Sequence, residues 1–259
     1  PVIALLLFAI GGCAGLMKDI ELSSLMQKKK HHELINTLQP EVDRGESVSS
    51  FRLFMLCSAY YEIRDYRRTL AALDLFDKKL AAGDDNFEGL DLVPYAPILR
   101  GNVYLDMGEY DKAIAEANRA DGLLKARKRT SFYEHQLLET CGILGVGHAF
   151  QNRMEEAGNY AERIRAIKVG FTNIGPEKSI AIAKICMAMK NYEGALAAVQ
   201  DPDAKVSAVL TAFYDQTFQE LPKFFIRTKC LYETGKTAEA RDGYDQLLKH
   251  PNIRQIGGI

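Results

Sequence analysis

One phrase recurs along this chain and restricts what it can fold into. Between Asn102 and Ile114 a helical pattern runs into the turn Met107-Gly108-Glu109, restarts at Tyr110 and carries Ala113 three positions later. The same layout, with varying fidelity, spans Ser58 to Leu70, Ile185 to Leu196 and Cys230 to Ala240. It is weaker from Val146 to Ala157 and faintest from Leu25 to Ile35. A phrase of helix, tight turn and helix that repeats is one supersecondary unit, unable to bury its apolar face alone and needing a neighbour. Within the unit, Ala113, Ile114, Ala117 and Ala120 fall on one face of a 3.6-residue helix. No stretch sustains a two-residue alternation of Val, Ile and Thr, so no strand is expected. Pro97, Pro176 and Pro222 are placed just before the first helix of a unit, where a missing N–H costs nothing. Pro40 and Pro251 are placed where they would stop one.

Composition agrees and narrows the class. Lys+Arg 33 against Asp+Glu 34 gives a net charge of -1, which argues against a nucleic-acid binder with a broad basic face. With 47% hydrophobic and 26% charged residues the chain has the balance of a folded globular protein. The five cysteines (Cys13, Cys57, Cys141, Cys186 and Cys230) are odd in number and widely spaced, unlike a disulfide framework or a zinc site.

These repeated residues resemble the tetratricopeptide repeat, which places a small residue in the turn, an aromatic at the start of its second helix and Ala three positions on. Gly108, Tyr110 and Ala113 match that pattern, with Tyr104 and Gly101 in the preceding helix. The equivalents of Ala113 are Leu34, Thr69, Ala157, Ala195 and Ala240, spaced 35, 44, 44, 38 and 45 residues apart, against about 34 in the standard repeat. Extra length is assigned to longer helices or to loops at residues 80–94 and 201–220. The Trp common early in the first helix is replaced by Leu53, Pro97, Cys141, Ser179 and Phe224. The resemblance covers residues 20–250. It implies an all-α superhelical solenoid of five to six antiparallel helix-turn-helix units, with residues 251–259 opening a further one.

The chain opens on an apolar run, Val2 to Ile10, nine residues long. A spanning helix needs about 20, whereas a signal-peptide apolar region has about this length and is followed by small residues. Ile10-Gly11-Gly12-Cys13 resembles the bacterial lipobox. That resemblance implies residues 1–12 as a lipoprotein signal, Cys13 as the lipidated residue and 13–19 as a tether. Ala14 lacks the Asp associated with inner-membrane retention, so an outer-membrane anchor facing the periplasm is expected. An ordinary N-terminal helix is the alternative.

No residue cluster points to catalysis, and the chain is read as a non-enzyme without cofactor or metal. Cys57, Cys186 and Cys230 sit where small residues pack and read as core thiols. His148 falls at a packing position, and His31-His32 beside three lysines reads as a solvated turn. The Asp84-Asp85-Asn86 run with Glu88 lacks the glycine and closing glutamate of a calcium loop. The basic run 125–129 reads as a helix end. Gly142, Gly145 and Gly147 lie in a helical pattern with no preceding strand.

The remaining candidate is the concave groove that the resemblance implies, lined by first-helix positions. By register these are Phe54, Ser58 and Tyr61, then Ile98, Asn102 and Leu105, then Lys184, Lys229 and Tyr232. Asn102 matches an Asn that chaperone-binding relatives use to hold a peptide carboxylate, but Ile98 replaces the accompanying Lys. An apolar-aromatic groove with two lysines suits an extended or helical peptide or protein partner. Three functions stay open: a lipid-anchored periplasmic scaffold, a cytoplasmic adaptor, or repeats that regulate a downstream caspase-like (CHAT) peptidase domain. The last rests on a short likeness in the closing stretch, where Ile253, Ile256 and Ile259 recur at three-residue spacing.

Overall fold

The computed structural model describes residues 14–87, 90–127, 132–168, 174–200 and 217–250. The chain is all-α, with twelve helices among the described residues. They run α1 (Ala14–Gln27), α2 (His31–Asp43), α3 (Ser50–Glu62), α4 (Tyr66–Ala81), α5 (Tyr95–Asp106) and α6 (Tyr110–Ala126). The second half holds α7 (Tyr133–Phe150), α8 (Met154–Ala166), α9 (Gly175–Ala188), α10 (Tyr192–Gln200), α11 (Thr217–Glu233) and α12 (Thr237–Lys249). Consecutive odd and even helices pack as six hairpins, and each hairpin packs on the next.

The turn inside every hairpin is built the same way. Lys29, Arg64, Gly108, Asn152, Lys190 and Gly235 all have left-handed backbone, with φ between 54° and 80°. The residue after each donates its N–H to the carbonyl five positions back, at 2.8–2.9 Å, as Glu109 does to Tyr104. The left-handed residue itself donates three positions back, at 2.8–3.0 Å. These paired bonds close the last turn of the first helix and satisfy carbonyls that would otherwise be orphaned.

One residue further on, the chain is already at the start of the second helix. The carbonyls of Lys30, Asp65, Glu109, Arg153, Asn191 and Lys236 accept from the residues four ahead. Those six acceptors' partners are Leu34, Thr69, Ala113, Ala157, Ala195 and Ala240, each at most 1% exposed. The register read from the sequence is therefore the register of the turn. Only Gly108 and Gly235 relieve the left-handed strain with glycine; the other four bear side chains that this conformation disfavours.

Four details depart from the sequence reading. Pro40 does not stop α2, which continues to Asp43. Close to the helix end the ring removes one bond on a face where Pro40 and Asn36 are exposed, so water can solvate the freed carbonyl. Pro222 lies inside α11 instead of ahead of it, because that helix begins at Thr217. In the 80–94 loop a two-residue antiparallel ladder pairs β1 (Asn86–Phe87) with β2 (Leu90–Asp91). Residues 14–19, expected as a tether, belong to α1; most of the 201–220 loop and all of 251–259 lie outside the described residues.

Burial follows the hairpins. One cluster joins the first three hairpins and the 80–94 loop through Leu34, Leu56, Tyr60, Phe76 and Leu92. A second, around Ile98, Ile114 and Ile143, joins hairpins three and four. A third, with Cys141, Ile164, Ile185 and Cys230, runs through the last three. Each large aliphatic or aromatic side chain removed from water contributes roughly 1.5–3 kcal/mol, so hairpins are held by the joints between them as much as by their own turns.

Candidate binding face

The first helices form a continuous layer. α1, α3, α5, α7, α9 and α11 each pack on the next odd helix, whereas each even helix reaches the next hairpin through its odd helix. Glycines make close approach possible within this layer. A Cβ on Gly101 would stand 3.2 Å from Ile143, and one on Gly145 would stand 2.4 Å from Ile185. Both contacts join odd helices of successive hairpins.

The nine residues expected to line a groove sit on this layer at three register positions: fifteen, eleven and eight residues ahead of the buried small residue of the second helix. The structure divides them. Ile98 is 1% exposed and belongs to the core between α5 and α7. Leu105 packs on that same core. Phe54 is half-buried, its ring 4.8 Å from Tyr95 and 6.3 Å from Phe76. Tyr61 lies 6.3 Å from the Tyr66 ring, and burial, together with the Asp106 carboxylate, pushes its phenol well above the usual range. Ser58 and Asn102 are half-buried polar groups between these apolar rows. On the last two hairpins Lys184 is exposed, Lys229 is half-buried and Tyr232 is 58% exposed.

Two residues of this face were missed. Tyr95 and Glu139 both stand eighteen residues ahead of the buried small residue, one turn before the positions considered. Burial pushes the Glu139 carboxyl up while His135 and Lys184 pull it down. Its side chain is nevertheless exposed at the surface. Burial and the Glu139 charge together push the Tyr95 phenol up. Register alone would have found both residues.

Cys57, Cys141, Cys186 and Cys230 are free and buried, and burial raises every one of these thiols, Cys141 to about 11. A thiol that stays protonated at neutral pH is a poor nucleophile. His148 is 8% exposed, with its ring 5.6 Å from Tyr160 and nearly parallel to it. Of the basic run, Lys125 pairs with Asp121, and Arg127 bridges Asp85 and Asp91. Asp84 accepts from the Ser50 N–H at 2.7 Å, tying the loop to α3. Among the described residues no group of three or more His, Cys, Asp or Glu is placed to hold a metal, and no helix is long and apolar enough to cross a membrane. Cys13 lies outside the described residues.

Comparison of the chain with protein-family models, with curated proteins and with solved structures finds no match.

Proposed function

We propose that this protein is a non-catalytic scaffold of the tetratricopeptide type, whose odd-helix face binds a protein or peptide segment. One observation carries the reading: six hairpins share one left-handed turn, and in each the fifth residue beyond it is buried. Repetition of a single unit with side-by-side first helices favours a solenoid. Because odd helices touch across every joint while even helices meet the next hairpin through its odd helix, the odd-helix side is the concave one. Such a surface suits an extended or helical segment.

The scaffold is tethered, in this reading, by acyl chains on Cys13 at the periplasmic face of a bacterial outer membrane. Support comes from the apolar run 2–10 ahead of Gly11-Gly12-Cys13. The other four cysteines are buried thiols, poorly placed to compete for acylation. More than one acyl chain suffices for stable attachment, at about 0.8 kcal/mol per buried CH₂. Palmitate labelling of the bacterially expressed chain, compared with Cys13→Ser, tests it: label is expected in the first and absent from the second. Equal labelling of both sinks the anchor. Four reduced thiols favour the cytoplasmic adaptor as a second reading, and absence of label from both chains would select it.

A further inference from the structure

The odd-helix face does not present the same chemistry along its length. At the three register positions, hairpins two and three carry Phe54, Ser58, Tyr61 and Ile98, Asn102, Leu105: apolar, neutral polar, apolar. Hairpins five and six carry Ile180, Lys184, Met187 and Phe225, Lys229, Tyr232: apolar, cation, apolar. Four of these six side chains (Ile180, Met187, Phe225 and Lys229) are half-buried, and Lys184 and Tyr232 are exposed. α9 and α11 pack directly on one another, and the two lysines hold the same register position on them, each between two apolar positions. Elsewhere charged side chains bridge the hairpins: Arg52 to Asp19, Arg100 to Asp77, Arg163 to Asp121. Neither Lys184 nor Lys229 has a carboxylate within 4.0 Å among the described residues. Lys184 faces Glu139 of α7 closely enough to pull that carboxyl down.

From this juxtaposition we infer that the face of hairpins five and six binds an acidic, partly apolar segment of a partner protein, with Lys184 and Lys229 receiving its carboxylates. The inference rests on the scaffold reading above and names the partner's chemistry. Packed helices lie about 8–10 Å apart, and an extended chain advances about 3.3 Å per residue. Carboxylates two to four residues apart therefore reach both ammonium groups, given the length of a lysine side chain. Apolar side chains between and beside the acids meet Ile180, Met187, Phe225 and Tyr232. This differs from capture of a chain terminus, since nothing in the pair requires a terminal carboxylate. Charge at the rim sets partner choice and association rate, and apolar contact supplies most of the affinity.

The test is selection of a random dodecapeptide library on three immobilised proteins: the full chain, Lys184→Glu/Lys229→Glu, and Lys28→Glu as a remote charge reversal. A Lys184→Gln/Lys229→Gln chain guards against misfolding, with far-UV circular dichroism checked for all four. The unaltered chain and Lys28→Glu are expected to enrich peptides with paired Asp or Glu beside an apolar residue. The double Glu variant should lose these and favour Lys and Arg. The Gln variant should bind a selected acidic peptide at least about tenfold more weakly at low salt, with the difference shrinking in 0.5 M salt, where the screening length falls to roughly 4 Å. If all three proteins enrich the same peptides, the lysines do not set specificity and the inference fails while the peptide-binding reading stands. If no protein enriches any peptide, both fail.

Discussion

The joint between hairpins two and three and the joint between four and five do the same job by opposite means. At the first, long side chains reach across. Arg100, 8% exposed, contacts Asp77 at 3.0 Å and Asp74 at 3.1 Å on α4. The Phe54 ring meets Tyr95, and the 80–94 loop lays Phe87 on Phe51 with ring centroids 3.7 Å apart. Arg127 and Gln136 then hold Asp91 from two further elements. At the second joint, side chains are missing by design of the sequence: Gly145 lets Ile185 of α9 in, and Lys178 closes the edge on the Arg165 and Ile167 carbonyls. A hairpin unit with a fixed turn thus tolerates joints made either of volume and charge or of close backbone approach. The difference lies in the facing side chains and not in the repeat.

The contrast is most directly broken by volume. Phe76 is fully buried in the N-terminal cluster, and Phe76→Ala is expected to cost about 3–5 kcal/mol. At the other joint adding volume does the damage: Gly145→Val should cost about 1–3 kcal/mol, because the new atoms meet buried Ile185. Urea denaturation gives both. A Gly145→Val chain with an unchanged midpoint would refute the close-approach account.

Charge gives a sharper separation at smaller cost. Arg100→Gln removes two charge-assisted contacts that are partly screened by water, for an expected loss of about 1–2 kcal/mol. Raising salt to 1 M should narrow the gap between this variant and the parent. The same salt step should leave the penalty of Gly145→Val unmoved, since no charge is involved. Equal salt dependence of the two would mean that the joints are not different in kind.

The turns offer a comparison within the repeat itself. Gly235→Ala places a Cβ at φ 80° and is expected to cost about 1 kcal/mol. Arg64→Gly relieves strain at φ 61° but loosens the unfolded chain, so it should stay within about 0.5 kcal/mol of the parent. A thermal melt that shows the reverse order would undo the assignment of strain.

The smallest effect expected is a pH slope. Burial, and then the nearby Arg153, lower the His148 pKa, against the pull of Glu156. The unfolded state therefore takes up the proton first. Stability is complete above the unfolded histidine value of about 6.5 and falls as pH drops below it. His148→Gln should flatten, though not abolish, the decline in urea midpoint between pH 7.5 and 5.5, because burial lowers His31 in the same direction. An unchanged slope would place the titration elsewhere.

Much of this architecture was legible before any coordinates. The six residues Leu34, Thr69, Ala113, Ala157, Ala195 and Ala240 mark the hairpins in the sequence, and all six are buried. The spacing was readable because one backbone geometry forces one small or fully enclosed side chain at one place in each unit. The left-handed positions were less so. Gly108 and Gly235 announce them, while Lys29, Arg64, Asn152 and Lys190 give no local signal and adopt them because the paired turn bonds over-determine the backbone.

What the sequence determined by itself is the unit: its two helices, its turn and the face each helix turns inward, all set by interactions within about 20 residues. Which face residues stay available is another matter. Ile98 and Lys184 both occupy positions that the register assigned to a groove, yet one is enclosed and the other open. Tertiary structure alone decided that, because burial at a register position depends on the size of the side chains that the neighbouring hairpin brings to the joint. Those neighbours lie some 40 residues away in sequence, where no local pattern in the unit reaches.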